Sequence, residues 1–89
     1  MALVDVNQNG LDETAALINT HATTHIADVS DPTRMSELPA EVEAAHGSCN
    51  ILVNNAGVTA AGRFEADDLD LVRWITDINV WGVVHGCHY

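Results

Sequence analysis

The chain has 89 residues and a net charge of −10; 13 residues are acidic, three are basic (Arg34, Arg63 and Arg73), and there is no lysine. A nucleic-acid partner needs basic groups to neutralise its phosphates, an anionic membrane surface repels such a chain, and no side-chain amine is available for Schiff-base chemistry. A hydrophobic share of 47% places the sequence among globular chains, as one small domain or part of one.

Residues 2–6 (ALVDV) read as a short strand with Asp5 near its end. Residues 7–10 (NQNG) read as a turn, and residues 11–20 as a helix with Leu11, Ala15 and Ile18 on one face. Residues 24–29 (THIADV) form a second expected strand, with Asp28 near its end. Asp31 and Pro32 read as the N-cap and first position of a helix that runs to about His46 and stops at Gly47. Pro39 inside it predicts a kink or two short helices, because proline removes a backbone bond and crowds the preceding turn. Residues 51–55 (ILVNN) read as a third strand, apolar enough to be buried on both faces. Residues 56–66 read as a loop rich in Ala, Gly and Thr, after which Asp67 or Asp68 caps a long last helix reaching about His88.

Strands alternating with helices predict parallel βαβ units with right-handed crossovers, an α/β fold with helices on both sheet faces. Ligands of such sheets sit beyond the carboxyl ends of the strands. Asp5, Asp28 and Asn55 stand at those ends. Strand ends are also polar simply because they meet water, and the residues alone leave both readings open.

Residues 51–58 (ILVNNAGV) resemble the Asn-Asn-Ala-Gly strand and loop of the short-chain dehydrogenase/reductase family. Asp28 and Val29 are similar to the Asp-Val pair ending that family's third strand. Asp5 stands where the family carries the acidic residue ending its second strand. Residues 77–83 (DINVWGV) resemble its helix motif with a central asparagine, here Asn79. The resemblance runs along the whole chain, from the family's second strand to its fifth helix. It implies an incomplete Rossmann-type doubly wound parallel sheet: three strands, the family's first strand missing. Residues 1–89 are then expected to be a partial NAD(P)-binding domain. The family's glycine-rich phosphate loop has no match among the six glycines, nor do its catalytic serine strand and Tyr-x-x-x-Lys helix. These are expected to lie before residue 1 and after residue 89. In the family's strand order 3-2-1-4, the first two strands here are neighbours and the third lies two spacings away, roughly 10 Å.

The implied parent activity is hydride transfer between a nicotinamide cofactor and a small alcohol or carbonyl substrate, with the chain alone expected to be inactive. The Asp5 carboxylate can accept from both ribose hydroxyls and repels a 2′-phosphate, so NAD is expected over NADP. Its alternative role is to cap the turn before the first helix. Asp28 and Val29 are implied to face the adenine ring; Asp28 otherwise starts the next turn. Asn55, Ala56 and Gly57 are implied to line the nucleotide side, where small residues let the backbone come close. Asn54 is expected to brace the sheet through buried amide bonds.

Asn79 falls within an apolar stripe of Leu71, Ile75, Ile78, Gly82, Val83 and Gly86, where an amide needs partners. The resemblance implies that it bends the helix and holds a water relaying protons toward the catalytic lysine. The alternative is an amide bonded only to backbone.

His85, Cys87 and His88 lie close in sequence without a second ligand cluster at zinc spacing, so no metal is expected. Trp74 and Trp81 read as packing or interface residues. The last helix resembles the one the family uses for subunit contacts, so a homo-oligomer through it, or a non-catalytic interaction fragment, is the alternative function. A receiver-like module would need a lysine beside its strand-end carboxylates, and the chain has none. Cys49 and Cys87 form no tandem motif, no signal peptide is evident, and no apolar run reaches the ~20 residues of a membrane span, so a cytoplasmic setting is expected.

Overall fold

A computed structural model describes residues 1–62 and 68–89. The chain opens with β1 (Ala2–Asp5), and α1 (Gln8–Ala16) carries it over to β2 (Thr23–Ile26). The two strands pair in parallel, Ala2 opposite Thr23 and Asp5 opposite Ile26. This is the βαβ unit that the alternation predicted. Asn7 caps α1 by accepting from the Gly10 amide at 3.1 Å, and Leu11 is the helix residue that becomes buried. The helix is shorter than the sequence suggested. It ends at Ala16 with Leu17 as C-cap, where Ile18, Asn19 and Thr20, all weaker helix formers, take over.

The second helix, α2 (Pro32–His46), begins and ends where its caps predict. Asp31 accepts from the Thr33 and Arg34 amides at 3.0 and 3.2 Å, and Gly47 leaves the helix at φ 76°. Pro39 does not divide it: one continuous helix passes through an exposed proline at the loss of a single backbone bond. Met35 and Leu38 close over Ala27, with Val29 and Val42 packed around them, and this cluster is the core.

Residues 51–55 correct the sequence reading: they pair with no strand, and the sheet has two strands among the described residues. A strand is stabilised by the ladder to its neighbour. In the order 3-2-1-4 the neighbour of this segment is the first strand, which the described residues do not contain. Ile51, Leu52 and Val53 are consequently 83%, 55% and 76% exposed rather than buried.

The last helix is three pieces on one axis of chain: α3 (Leu69–Thr76), a π turn (Asp77–Trp81) and α4 (Gly82–His88). Asp68 caps it, accepting from the Asp70 amide at 2.9 Å; the alternative cap, Asp67, lies outside the described residues, as does the end of the expected 56–66 loop. Gly82 is buried and Leu71, Ile75, Ile78 and Gly86 are half-buried, whereas Val83 is exposed. Among the described residues no helix is long and apolar enough to cross a membrane.

Candidate functional site

Parallel pairing brings the carboxyl ends of β1 and β2 to one edge. At the first end, the Asp5 carbonyl accepts from Ala27 N at 3.1 Å, and its side-chain Oδ1 accepts from the Asn7 amide at 2.9 Å. One carboxylate oxygen therefore does cap the turn into α1. A carboxylate has two oxygens and about four acceptor sites, so the same residue keeps capacity for a further donor. A shallow hollow lies beside it between β1 and α1, lined by Val4, Asp5, Asn7, Gly10 and Thr14.

At the second end, Asp28 Oδ1 accepts from Ser30 N at 2.9 Å and from Ser30 Oγ at 2.6 Å, which shapes the turn into α2. Val29 is held from two sides. Its side chain packs on Gly82, and its carbonyl accepts a hydrogen bond from His85 Nδ1 at 2.7 Å. That bond places the His85 proton on Nδ1 and leaves the Val29 N–H as the group with which this residue can meet an acceptor.

The 54–58 loop is fixed by the same helical segment. Asn79 Oδ1 accepts from Val58 N, and Asn79 Nδ2 donates to the Val58 carbonyl, both at 2.8 Å. The amide thus mimics a backbone partner for residue 58, and it does so from within the π turn. Such turns recur where a helix re-aims a functional side chain. Asn79 is exposed, not buried in the apolar stripe as its spacing suggested. The extra residue of the turn shifts its phase, and it faces a loop instead of a packed layer. Asn54 is also exposed: it leans on α4, with its Oδ1 over Gly86 and its Nδ2 at 3.5 Å from Cys87 Sγ, and braces helix to loop rather than sheet. Asn55, Ala56 and Gly57 lie open beside it, the Gly57 α-carbon facing Asn79 Oδ1.

The structure therefore gathers Val29, Asn54, residue 58 and Asn79 around one helical segment, and sets Asp5 and Asp28 along the adjoining strand ends. Sequence reasoning set Gly82 and Gly86 in the apolar stripe and weighed His85 only for a metal, and so missed that these three groups do the gathering. The glycine pair four apart on one helical face was the available signal. An added Cβ at Gly82 would lie 2.6 Å from Val29 Cγ2, and one at Gly86 would collide with Asn54 Oδ1. Gly82→Ala should therefore destabilise the seat of α4 by about 1–3 kcal/mol, outweighing the ~1 kcal/mol gain in helix propensity. A urea titration followed by tryptophan fluorescence should shift to lower denaturant; an unchanged or higher midpoint would show that the close approach is not needed.

The edge is acidic, and Arg34 is committed elsewhere. Arg34 makes a two-pronged ion pair with Glu41 at 2.6 and 2.9 Å, and its Nε donates to the Ile26 carbonyl at 2.8 Å. The hydrogen bond to Glu41 raises its pKa further above the ordinary arginine value. Arg73 pairs loosely with Asp70 at 3.6 Å on the exposed helix. No group of three His, Cys, Asp or Glu side chains able to hold a metal occurs among the described residues.

The family whose model matches, over residues 1–89, is described as short chain dehydrogenase. A curated relative from Mycobacterium tuberculosis, named Probable oxidoreductase EphD, is 33% identical over 98% of this chain. A short-chain dehydrogenase/reductase from Burkholderia phymatum, solved in complex with NAD, superposes with a TM-score of 0.90 at 29% identity over 98% of the chain. L-Sorbose reductase from Gluconobacter frateurii, solved with NADPH and L-sorbose, shares the fold with a TM-score of 0.86 at 21% identity, again over 98% of the chain. The chain spans 15% of the length of the curated relative, and 32% and 35% of the two solved chains.

Proposed function

The chain belongs to the short-chain dehydrogenase family, and we propose that residues 1–89 supply the adenosine-side edge of a nicotinamide-cofactor site in an oxidoreductase interconverting an alcohol and a carbonyl. The observation that carries this reading is the parallel pairing of β1 and β2, which sets Asp5 and the Asp28–Val29 turn side by side, with the 54–58 loop tied to the same helix that holds Val29. In this reading Asp5 accepts from the ribose hydroxyls with the oxygen not used for the turn. Asp28 accepts from the exocyclic amine of adenine, and the Val29 N–H donates to a ring nitrogen. Asn55, Ala56 and Gly57 line the nucleotide side of the loop. Bound there, the cofactor supplies the hydride acceptor or donor.

Asn79 positions that loop. Its side-chain oxygen and one amide N–H are engaged with residue 58, so in a proton relay a water would be held by what remains, its main chain and the second N–H. The serine, tyrosine and lysine of the family's chemistry have no counterpart in these residues, and hydride transfer requires the rest of such a domain.

The fold is shared by proteins solved with NAD and with NADPH, so the choice rests on Asp5. A carboxylate at the ribose repels a 2′-phosphate, and Arg34, the nearest arginine in sequence, is occupied by Glu41. With residues 1–89 grafted in place of the matching third of the Burkholderia phymatum relative, kcat/KM should favour NAD. Asp5→Ala should narrow that preference by about 10- to 100-fold, the worth of one or two charge-assisted hydrogen bonds. Equal or better use of NADP by the parent graft would overturn the assignment.

A second reading rests on Trp74, Val80, Trp81 and Val84, all exposed on the last helix, which suit a contact between subunits. It adds to the first reading without replacing it.

A further inference from the structure

On the side of the molecule away from the strand-end edge, four polar side chains connect β2 to the second half of α2. Thr23 Oγ1 lies 2.8 Å from His25 Nε2 and 2.8 Å from His46 Nε2. His25 Nδ1 lies 3.1 Å from Glu41 Oε2. Donor arithmetic assigns every proton in this chain. The Glu41 carboxylate can only accept, so His25 donates from Nδ1 and, when neutral, offers a lone pair at Nε2. The Thr23 hydroxyl has one proton and must give it to that lone pair. Its oxygen then accepts from His46, which must carry its proton on Nε2. The remaining His46 lone pair, on Nδ1, faces the Met1 amino group at 3.5 Å.

We infer that His46, Thr23, His25 and Glu41 form a hydrogen-bonded latch of fixed direction, which holds the C-terminal half of α2 against β2 while His46 is neutral and loosens at its His46 end in acid. A second proton on His46 puts an N–H against the Met1 amine. Around His46 the neighbouring groups oppose an added charge. His46 is faced by Met1, by the His21 ring with centroids 4.6 Å apart, and by His25. The negative group, Glu41, is held by His25 and, more tightly, by Arg34, which Glu37 and Asp31 also attract.

The charge states place the release. Loss of hydration, then the Met1 amine, His21 and His25, push the His46 pKa below its ordinary 6.5. A group with a lowered folded-state pKa binds its proton more readily in the unfolded chain. Its contribution is therefore complete above 6.5 and is lost as pH falls below that value. The Glu41 carboxyl is lowered from 4.5 to about 2, first by Arg34 and then by His25. Its contribution survives until pH falls through the 4.5-to-2 window. The His46 end of the latch should therefore open while the Arg34–Glu41 clamp and the Arg34 bond to Ile26 remain closed.

Nitrogen-15 NMR of the imidazoles in the 89-residue chain, from pH 8 to pH 5 at low salt, tests this directly. At pH 8 His25 should carry its proton on Nδ1 and His46 on Nε2. His46 should titrate below 6.5, and amide exchange over residues 42–47 should accelerate as it does. Thr23→Val keeps the shape of the side chain and removes the hydroxyl. It should return His46 to a tautomer mixture, leave His25 protonated on Nδ1 against Glu41, and leave α2 helical at pH 8. Tautomer averaging at both rings of the unaltered chain would overturn the latch, whether the rings are free or the chain is molten. So would a Thr23→Val chain whose His46 tautomer is unchanged.

Discussion

Given NAD or NADP and an alcohol or ketone, the 89-residue chain should transfer no hydride above the uncatalysed rate. The family chemistry needs a proton donor next to the reacting oxygen, and a cation that tunes that donor. Tyr89 is the only tyrosine and lysine is absent. General acid–base catalysis contributes about 10²- to 10⁴-fold, and the alignment of cofactor and substrate contributes more. Both are lost together when the residues that hold the substrate are elsewhere. The expected effect is therefore complete loss, measured as nicotinamide absorbance at 340 nm over hours. Turnover that scales with chain concentration in a preparation free of other dehydrogenases would contradict it.

The second large effect concerns the chain's own integrity. Among the described residues four apolar side chains are buried, Leu11, Ala27, Met35 and Leu38, and no large side chain is fully enclosed. The radius of gyration is 14.8 Å, against about 12 Å for a compact domain of this length. Ile51, Leu52 and Val53 are exposed and pair with no strand, and β1 has one edge without a partner strand among the described residues. Unpaired apolar edges associate or re-pair. The net charge of −10 holds copies apart at low ionic strength, and salt removes that repulsion. Sedimentation should therefore show a distribution that moves to larger species with protein concentration and with added salt, and urea unfolding should be broad. A salt-independent monomer with one sharp transition would show that the two-stranded sheet and its core suffice.

What the sequence disclosed and what it concealed divide by range. Asp31, Asp68 and Gly47 end their helices where they were expected to, because a cap is a contract between residues three or four apart. The β1–β2 pairing was legible because a short crossover leaves a parallel neighbour as the simplest arrangement. Residues 51–55 have the composition of a buried strand and none of its ladder, since pairing depends on a neighbour that local pattern cannot supply. Pro39 looked like a break because its local cost is plain, while the packing of Met35 and Leu38 that keeps α2 whole is tertiary.

The candidate edge was legible at Asp5, Asp28 and the 54–58 loop through residue type and order. The hook from Asn79 to residue 58, the seats at Gly82 and Gly86, and the His85 bond to Val29 were not, because each joins segments more than twenty residues apart. The Thr23 bond to His46 was hidden for the same reason, since it joins residues 23 apart.

The most direct measurement of the central claim is a crystal structure of the graft described above with NAD bound. Asp5 should accept from the ribose hydroxyls, Asp28 should meet the exocyclic amine of adenine, and the Val29 N–H should meet a ring nitrogen while its carbonyl stays on His85. A cofactor seated with its adenosine half away from Asp5 and Asp28 would contradict the assignment of this edge.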